Sequence, residues 1–517
     1  MGTMTSQGIR DGRPEASLGW ATRVRREIKG IGYAWGDPAT RRGTLATTLV
    51  LAGTFGYGML PPDNVWRGVP GIGWMQTSAP GRILSVVLLL YGVILLLDAW
   101  LRIRPAESRR PISRGTVWWW SLPLLPAPPL LSFDAYSYAA QGEMVHRGFD
   151  PYSDGPAVLG DLFHAQVDPI WQFTPAPYGP LSLQVQHLIS DLSGHNAYLA
   201  AILMRIPAFI GVLLIAIYLP RIAQFLGYDR DQTLWLAVLN PLVVLHLVGG
   251  AHNDSLMIGL MVLGLWFGIR HHIVVGSLCI AAAASIKQPA AAAILAVAAL
   301  HAWRGNDWGR PTKVEVLRKL VPAGLIFAVG FVGIGLASGL GFGWITALGV
   351  PGAVRSMLAP FTALGAGLEW LATMAGWSGI AASMVGWTQR VGQLLGVAIM
   401  GWLVWKYKAK HPVRTLGWIL LAFVITGPVI HPWYLLWGGL LFAMTESSPM
   451  RRQVVRWATV GFVLYSAFDF GWFKNSLAAA AVSLVLALAW IATGHDKGLN
   501  RDVDLRLPRP WIRRTKV

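Results

Sequence analysis

Uncharged apolar stretches of about 18 residues or more recur along this chain, the length a helix needs to cross the hydrocarbon core of a bilayer. Few folds accommodate such a series. Backbone amides in lipid must find partners within a helix or a closed barrel. Only 13% of the 517 residues are charged, against about 25% in soluble domains. The expected fold class is therefore an all-α polytopic membrane protein. The 58 glycines and 32 prolines agree with it, because helix-breakers are tolerated where neighbouring helices re-satisfy the backbone.

Fourteen spans are expected, with twelve or thirteen if short neighbours pair as broken helices. They start near 43–60, 81–101, 115–133, 197–219, 232–249, 254–269 and 272–286. They continue near 288–303, 318–338, 386–405, 414–430, 432–446, 455–471 and 474–493. Residues 1–42 and 494–517 read as basic cytosolic tails flanking a transmembrane domain over 43–493. The first tail is too long and polar for a cleaved signal peptide.

With the N-terminus inside, most of the 43 Lys and Arg fall on the inner side, including the loops 102–114, 304–319, 406–414 and 451–456. The outside comes out slightly negative. This positive-inside bias accounts for the net charge of +18 through topology and attraction to anionic inner-leaflet lipid. No nucleic-acid partner is expected. The single Cys279 rules out an internal disulfide and a multi-cysteine metal site.

Two long loops, 134–196 and 340–385, are expected outside. The first carries seven acids, Asp134, Glu143, Asp150, Asp154, Asp161, Asp168 and Asp191, and one base, Arg147. Long ordered loops usually carry function. Asp134 ends the uncharged interval that begins after Arg114, roughly 28 Å if helical at about 1.5 Å per residue. Beyond it, Ala135, Tyr138, Ala139, Gly142 and Val145 share a helical stripe, which predicts a short helix along the outer interface with Asp134 at its start. Capping that helix is one role for the carboxylate, and chemistry is the other.

Further ionisable residues fall at expected outer span ends. "GGAHNDSLM" places His252, Asn253 and Asp254 at one, "SIKQP" places Lys287 at another, and "GPVIHPWYLLW" sets His431 and Tyr434 between two spans. Arg205 lies about two turns inside a span and Asp469 ends another. Polar groups at membrane depth are costly and mark functional candidates. Each has a plainer reading, such as Arg205 snorkelling outward or Lys287 anchoring at the interface.

The chain has no P-loop, dinucleotide fingerprint, GxSxG or HExxH of use, and no loop is large enough for a nucleotide-binding domain. A site on the outer face needs a substrate that is already outside, and a sugar on a polyprenyl phosphate fits. Transfer then requires one carboxylate to take the proton of an acceptor hydroxyl, and cations or other donors to hold the leaving phosphate. Asp134 with some of Arg205, Lys287, Arg355, Arg390, His252 and His431 would supply those parts, with Tyr138 and Gln141 beside Asp134 on the expected helix. No metal site is legible, although carboxylates here leave a divalent cation open.

Taken together, "FDAYSYAAQGEMVHRGFDPY", "PYGPLSL", "GGAHNDSLMIGLMVLG", "SIKQPA" and "HPWYLLW" resemble the actinobacterial polyprenyl-phosphomannose-dependent α-1,6-mannosyltransferases, membrane enzymes of the GT-C type. The resemblance runs from about Phe133 to Trp437. It implies a β-mannosyl phosphopolyprenol donor, the α-1,6-mannan of lipomannan and lipoarabinomannan as acceptor, and inversion at the anomeric carbon. It further implies Asp134 as catalytic base, with Tyr138, Gln141, Arg205, His252, Asn253, Asp254, Lys287, Arg355, His431 and Tyr434 binding substrate. The chain departs from the plain GT-C pattern in placing its acidic loop after the third span instead of the first. Within the family it looks most like the early, proximal-mannan enzyme. The readings that compete are a decaprenyl-phosphoarabinose-dependent arabinosyltransferase, a lipid-linked-sugar flippase and a non-catalytic membrane partner.

Overall fold

The computed structural model describes residues 20–56, 60–105, 111–305, 311–353, 355–407, 411–446 and 448–474. The expected span at 474–493, the C-terminal tail and most of the N-terminal tail lie outside them. Among the described residues all regular structure is helical. The principal helices, numbered in chain order, are α1 (Trp20–Trp35), α2 (Pro38–Gly56), α3 (Ala79–Arg102), α4 (Gly115–Ser121), α5 (Asp134–His146) and α6 (Pro180–Leu192). They continue with α7 (Ala197–Leu203), α8 (Arg205–Phe225), α9 (Asp254–Ile269), α10 (Ile273–Ile286), α11 (Ala293–Gly305) and α12 (Lys313–Ala337). The last five are α13 (Pro360–Met374), α14 (Met384–Tyr407), α15 (Pro412–Thr426), α16 (Leu435–Thr445) and α17 (Pro449–Lys474).

Among the described residues, three helical stretches are long and apolar enough to cross a bilayer, Ala79–Arg102, Ala197–Phe225 and Lys313–Ala337. A fourth is the pair Arg230–Val238 and Val243–Gly249, bent by 58°. Four more apolar helices are shorter. The structure thus breaks several of the runs expected as spans, and proline is the common cause. Pro241 sits at the bend of the 230–249 pair, where it removes a helical donor. The run expected at 115–133 is helical only to Ser121, followed by a 3-10 turn over Leu122–Leu124. Pro123, Pro126, Pro128 and Pro129 cannot propagate the α-helical ladder, so the chain reaches Asp134 as a non-helical strap.

The largest core joins α2, α3, α8, α9, α11, α15 and α16. In it Trp100 and Trp235 stack at 5.3 Å, and each indole donates to the other's carbonyl at 2.8 Å. A side chain so reciprocated is satisfied without water, as lipid burial demands. Elsewhere the apolar surface faces outward. On α12, Leu325, Val329 and Leu336 are 63%, 74% and 66% exposed, which suits a helix solvated by hydrocarbon.

A second, smaller core lies under residues 134–204, where α5 packs on α6 and α7. The short helix after Asp134 forms as expected, but it is not amphipathic. Every residue from Ala135 to Met144 is buried, because α6 and α7 cover the face that the stripe left for water. Gly142 makes this possible, since a β-carbon there would overlap the Gln186 carbonyl. Gly142→Ala is expected to destabilise the fold by about 1–3 kcal/mol, as overpacking does. Thermal unfolding of the purified protein checks this, and an unchanged midpoint would refute it.

Candidate active site

Asp134 is the first residue of α5. The N-cap is Phe133, which makes no side-chain capping bond, and the Asp134 amide donates to Ser132 Oγ at 3.0 Å. Its carboxylate is turned into the protein, with 20% of the side chain exposed. Tyr138, one turn on, donates its hydroxyl to Asp134 Oδ2 at 3.3 Å. His252 Nδ1 stands 3.2 Å from the same oxygen. That ring is close enough to act electrostatically, but neither of its nitrogens is aligned for a hydrogen bond. Burial favours the neutral acid, while the His252 ring, His431 and the Ser132 hydroxyl favour the carboxylate, and together they hold Asp134 below the usual range. The group is thus a carboxylate at neutral pH, able to accept a proton.

His252 is fully buried and its ring stacks on Trp433 at 3.8 Å. His431 lies parallel to the same indole at 4.5 Å, so Trp433 is sandwiched between two imidazoles. His252 is placed by Ala251, whose φ of 54° is uncommon for a residue with a side chain. Asn253 continues the polar line. Its Oδ1 lies 3.5 Å from the Tyr138 hydroxyl and its Nδ2 donates to Ser182 Oγ at 3.1 Å.

Asp254 and Lys287 form a buried pair beside this cluster. Lys287 Nζ donates to Asp254 Oδ1 at 2.9 Å, with side chains 9% and 0% exposed. Trp437 donates its indole N–H to the same oxygen at 2.5 Å. The ammonium lies over the rings of Tyr434, Trp437 and Tyr178 at 4.4, 5.1 and 5.6 Å. An aromatic box of this kind steadies a cation away from water. Tyr178 is held there because Gly179 approaches the end of α10 too closely for a β-carbon and donates its amide to the Ile286 carbonyl.

Of the residues singled out from sequence, Asp134, Tyr138, His252, Asn253, Asp254, Lys287, His431 and Tyr434 come together. Gln141 is buried one turn past Tyr138. Arg205 is buried nearby. One guanidinium nitrogen donates to Pro128 O at 3.0 Å and Gly249 O at 2.7 Å, tying the strap before Asp134 to the turn before His252. Its Nε and Nη1 are buried without a hydrogen-bond partner. Arg355 forms a two-pronged pair with Glu369 at 2.6 and 3.1 Å, and Arg390 lies over Trp387. The side chains that sequence reasoning passed over are Ser132, Tyr178, Ser182, Trp433 and Trp437. Tyr178 and Ser182 lie within "PYGPLSL", and both tryptophans within "HPWYLLW".

Comparison with known proteins places the chain in a family. Residues 40–303 match the family described as α-(1→6)-mannopyranosyltransferase, N-terminal domain, and 361–493 match the MptB C-terminal domain. A probable α-(1→6)-mannopyranosyltransferase of Mycolicibacterium smegmatis is 34% identical over 79% of this chain and 78% of its own. An α-(1→6)-mannopyranosyltransferase of Mycobacterium tuberculosis is 32% identical over 86% of each chain. The α-(1→6)-mannopyranosyltransferase B of Corynebacterium glutamicum is 28% identical over 76% of this chain and 71% of its own.

The protein is a glycosyltransferase built on apolar, membrane-type helices. Both matched segments contribute to the cluster, Asp134 to Lys287 from the first and His431 to Trp437 from the second. The chain belongs to the α-(1→6)-mannopyranosyltransferase family.

Proposed function

We propose that the chain transfers mannose from a polyprenyl-phosphate-mannose to a growing α-(1→6)-mannan of a lipoglycan. The reaction runs on the outer face of the plasma membrane, with both termini cytosolic, on a GT-C framework. The single observation that carries this reading is the half-buried Asp134 carboxylate, steadied by Tyr138 and His252 beside a boxed, buried cation. The positive-inside bias supports the outer placement, and the sugar and linkage follow the names of the relatives.

In the proposed reaction, an Asp134 carboxylate oxygen takes the proton of the acceptor 6-hydroxyl as the hydroxyl oxygen attacks the anomeric carbon. The bond from that carbon to the donor phosphate oxygen breaks, and the electron pair leaves with the phosphate. A single displacement inverts the anomeric centre. Phosphate leaves readily, so no second carboxylic acid is required, unlike in glycoside hydrolysis. The developing charge is met by Lys287 Nζ, which has donors beyond the one given to Asp254, with the Tyr434 hydroxyl and His431 beside it. Substrate hydroxyls meet Asn253 and Tyr138.

The test uses the purified chain in lipid with radiolabelled polyprenyl-phosphate-mannose and a short α-(1→6)-mannoside acceptor. The expected product carries label that an α-mannosidase releases. Transfer only from a nucleotide-mannose, or only from a phosphoarabinose donor, would overturn the assignment of donor.

A further inference from the structure

At the far end of α5 from Asp134, three histidines crowd one carboxylate. His146 Nδ1 lies 3.1 Å from Asp191 Oδ1, His187 Nε2 lies 3.5 Å from Asp191 Oδ2, and His195 Nε2 lies 4.0 Å from Asp191 Oδ1. The imidazoles of His146 and His195 are 4.0 Å apart between centroids. One ligand atom each from His146, His187 and Asp191 falls within 4.8 Å of the others. We propose that this cluster is a zinc-type site, binding one divalent transition-metal ion through His146, His187 and Asp191, with His195 stacked beside them.

The helices build it from the same close approach that seats α5. Gly142 meets the backbone at Gln186–His187. One turn further along α5 is His146, and one turn further along α6 is Asp191, so the two side chains meet. Gly194 and His195, with φ of 62° and 59°, turn the chain back after α6 and lay His195 against His146.

Two imidazoles are already oriented from behind. His195 Nδ1 is 2.9 Å from Glu143 Oε2. Glu143 is itself held by the Ser190 hydroxyl at 2.7 Å and by Arg147 at 2.8 Å. His187 Nδ1 is 3.3 Å from Gln184 Oε1, and that amide is fixed because its nitrogen donates to the Ser338 carbonyl at 2.6 Å. A proton on each Nδ1 satisfies those acceptors and leaves both Nε2 lone pairs facing Asp191. An acceptor behind the ligating imidazole is the usual outer shell of a zinc site.

The spacing suits the ion as well. Bonds of about 2.0–2.2 Å in tetrahedral geometry set ligand atoms roughly 3.3 Å apart, and the contacts of 3.1 and 3.5 Å lie on either side of that edge. Imidazole-rich sets favour zinc and its neighbours over magnesium or calcium. Three protein ligands leave the fourth position of the tetrahedron to water. Asp191 and His146 are 44% and 42% exposed, so the ion has an open path in.

The test takes the full-length chain, free of any polyhistidine tag, stripped with chelator and titrated with zinc chloride by calorimetry. One zinc per chain is expected. His187→Gln and Asp191→Asn should each weaken binding at least tenfold, and Gln184→Ala about tenfold, as outer-shell losses do. Cobalt substitution adds a readout that an ion-pair cluster would not give, the strong visible absorption of a four-coordinate ion, lost in His146→Asn. Absence of binding by the wild-type chain, or equal binding by wild type and variants, overturns the proposal.

Discussion

Asp134→Asn is expected to lower mannosyl transfer by about 10²–10⁴-fold, the usual contribution of a general base, while expression and donor binding persist. The amide keeps the shape of the carboxylate and can still meet Tyr138, so the fold has no reason to change. It has no negative charge with which to draw off the acceptor proton. Initial rates with a radiolabelled lipid donor in membranes measure the loss, and wild-type rates in the variant would exclude Asp134 as the base. Because its neighbours hold Asp134 below the usual carboxylate range, its protonation should not limit transfer at pH about 5, already above the ordinary value of about 3.9. An acid limb reaching into neutral pH would assign that limb to another group.

The second large effect concerns Lys287 and Asp254. Lys287→Ala leaves the Asp254 carboxylate buried with the Trp437 N–H as its remaining partner. Breaking a buried pair from one side costs about 3–5 kcal/mol, a large fraction of the stability of most domains. A marked fall in the thermal midpoint is expected for Lys287→Ala and for Asp254→Ala. The double change Asp254→Leu with Lys287→Met should be milder than the sum, since replacing both charges leaves none unpaired. If Lys287→Ala kept wild-type stability and lost only donor binding, the lysine would serve the phosphate alone and the pair would carry no structural weight.

Much of the site was legible because its polar residues interrupt apolar sequence. A carboxylate at Asp134, a lysine in "SIKQP" and a histidine in "HPWYLLW" are conspicuous where almost nothing else is charged. Their company was harder to read. Trp433 and Trp437 are unremarkable among 26 tryptophans, and only the structure shows one stacked between imidazoles and the other bonded to Asp254. Arg205 was visible as an arginine inside a span, but its role depends on two carbonyls, at Pro128 and Gly249, that no side-chain pattern reports. Hydropathy predicts a span at 115–133 but does not register the four prolines that interrupt it. The histidine cluster escaped notice because its members are spread over fifty residues of polar sequence, where imidazoles are commonplace.

The strap between Leu124 and Asp134 bears on how the proposed base keeps its register. Along an α-helix each residue adds about 1.5 Å and a rotation of about 100°, so an inserted residue would swing everything beyond it to another face. The strap has no such screw. It is pinned by Arg205 at Pro128, and the same guanidinium fixes Gly249, three residues before His252. The seven residues from Pro128 to Asp134 are therefore expected to keep their count. Arg205 thus acts as the datum from which the carboxylate and the histidine are both measured, although the two lie far apart in the chain.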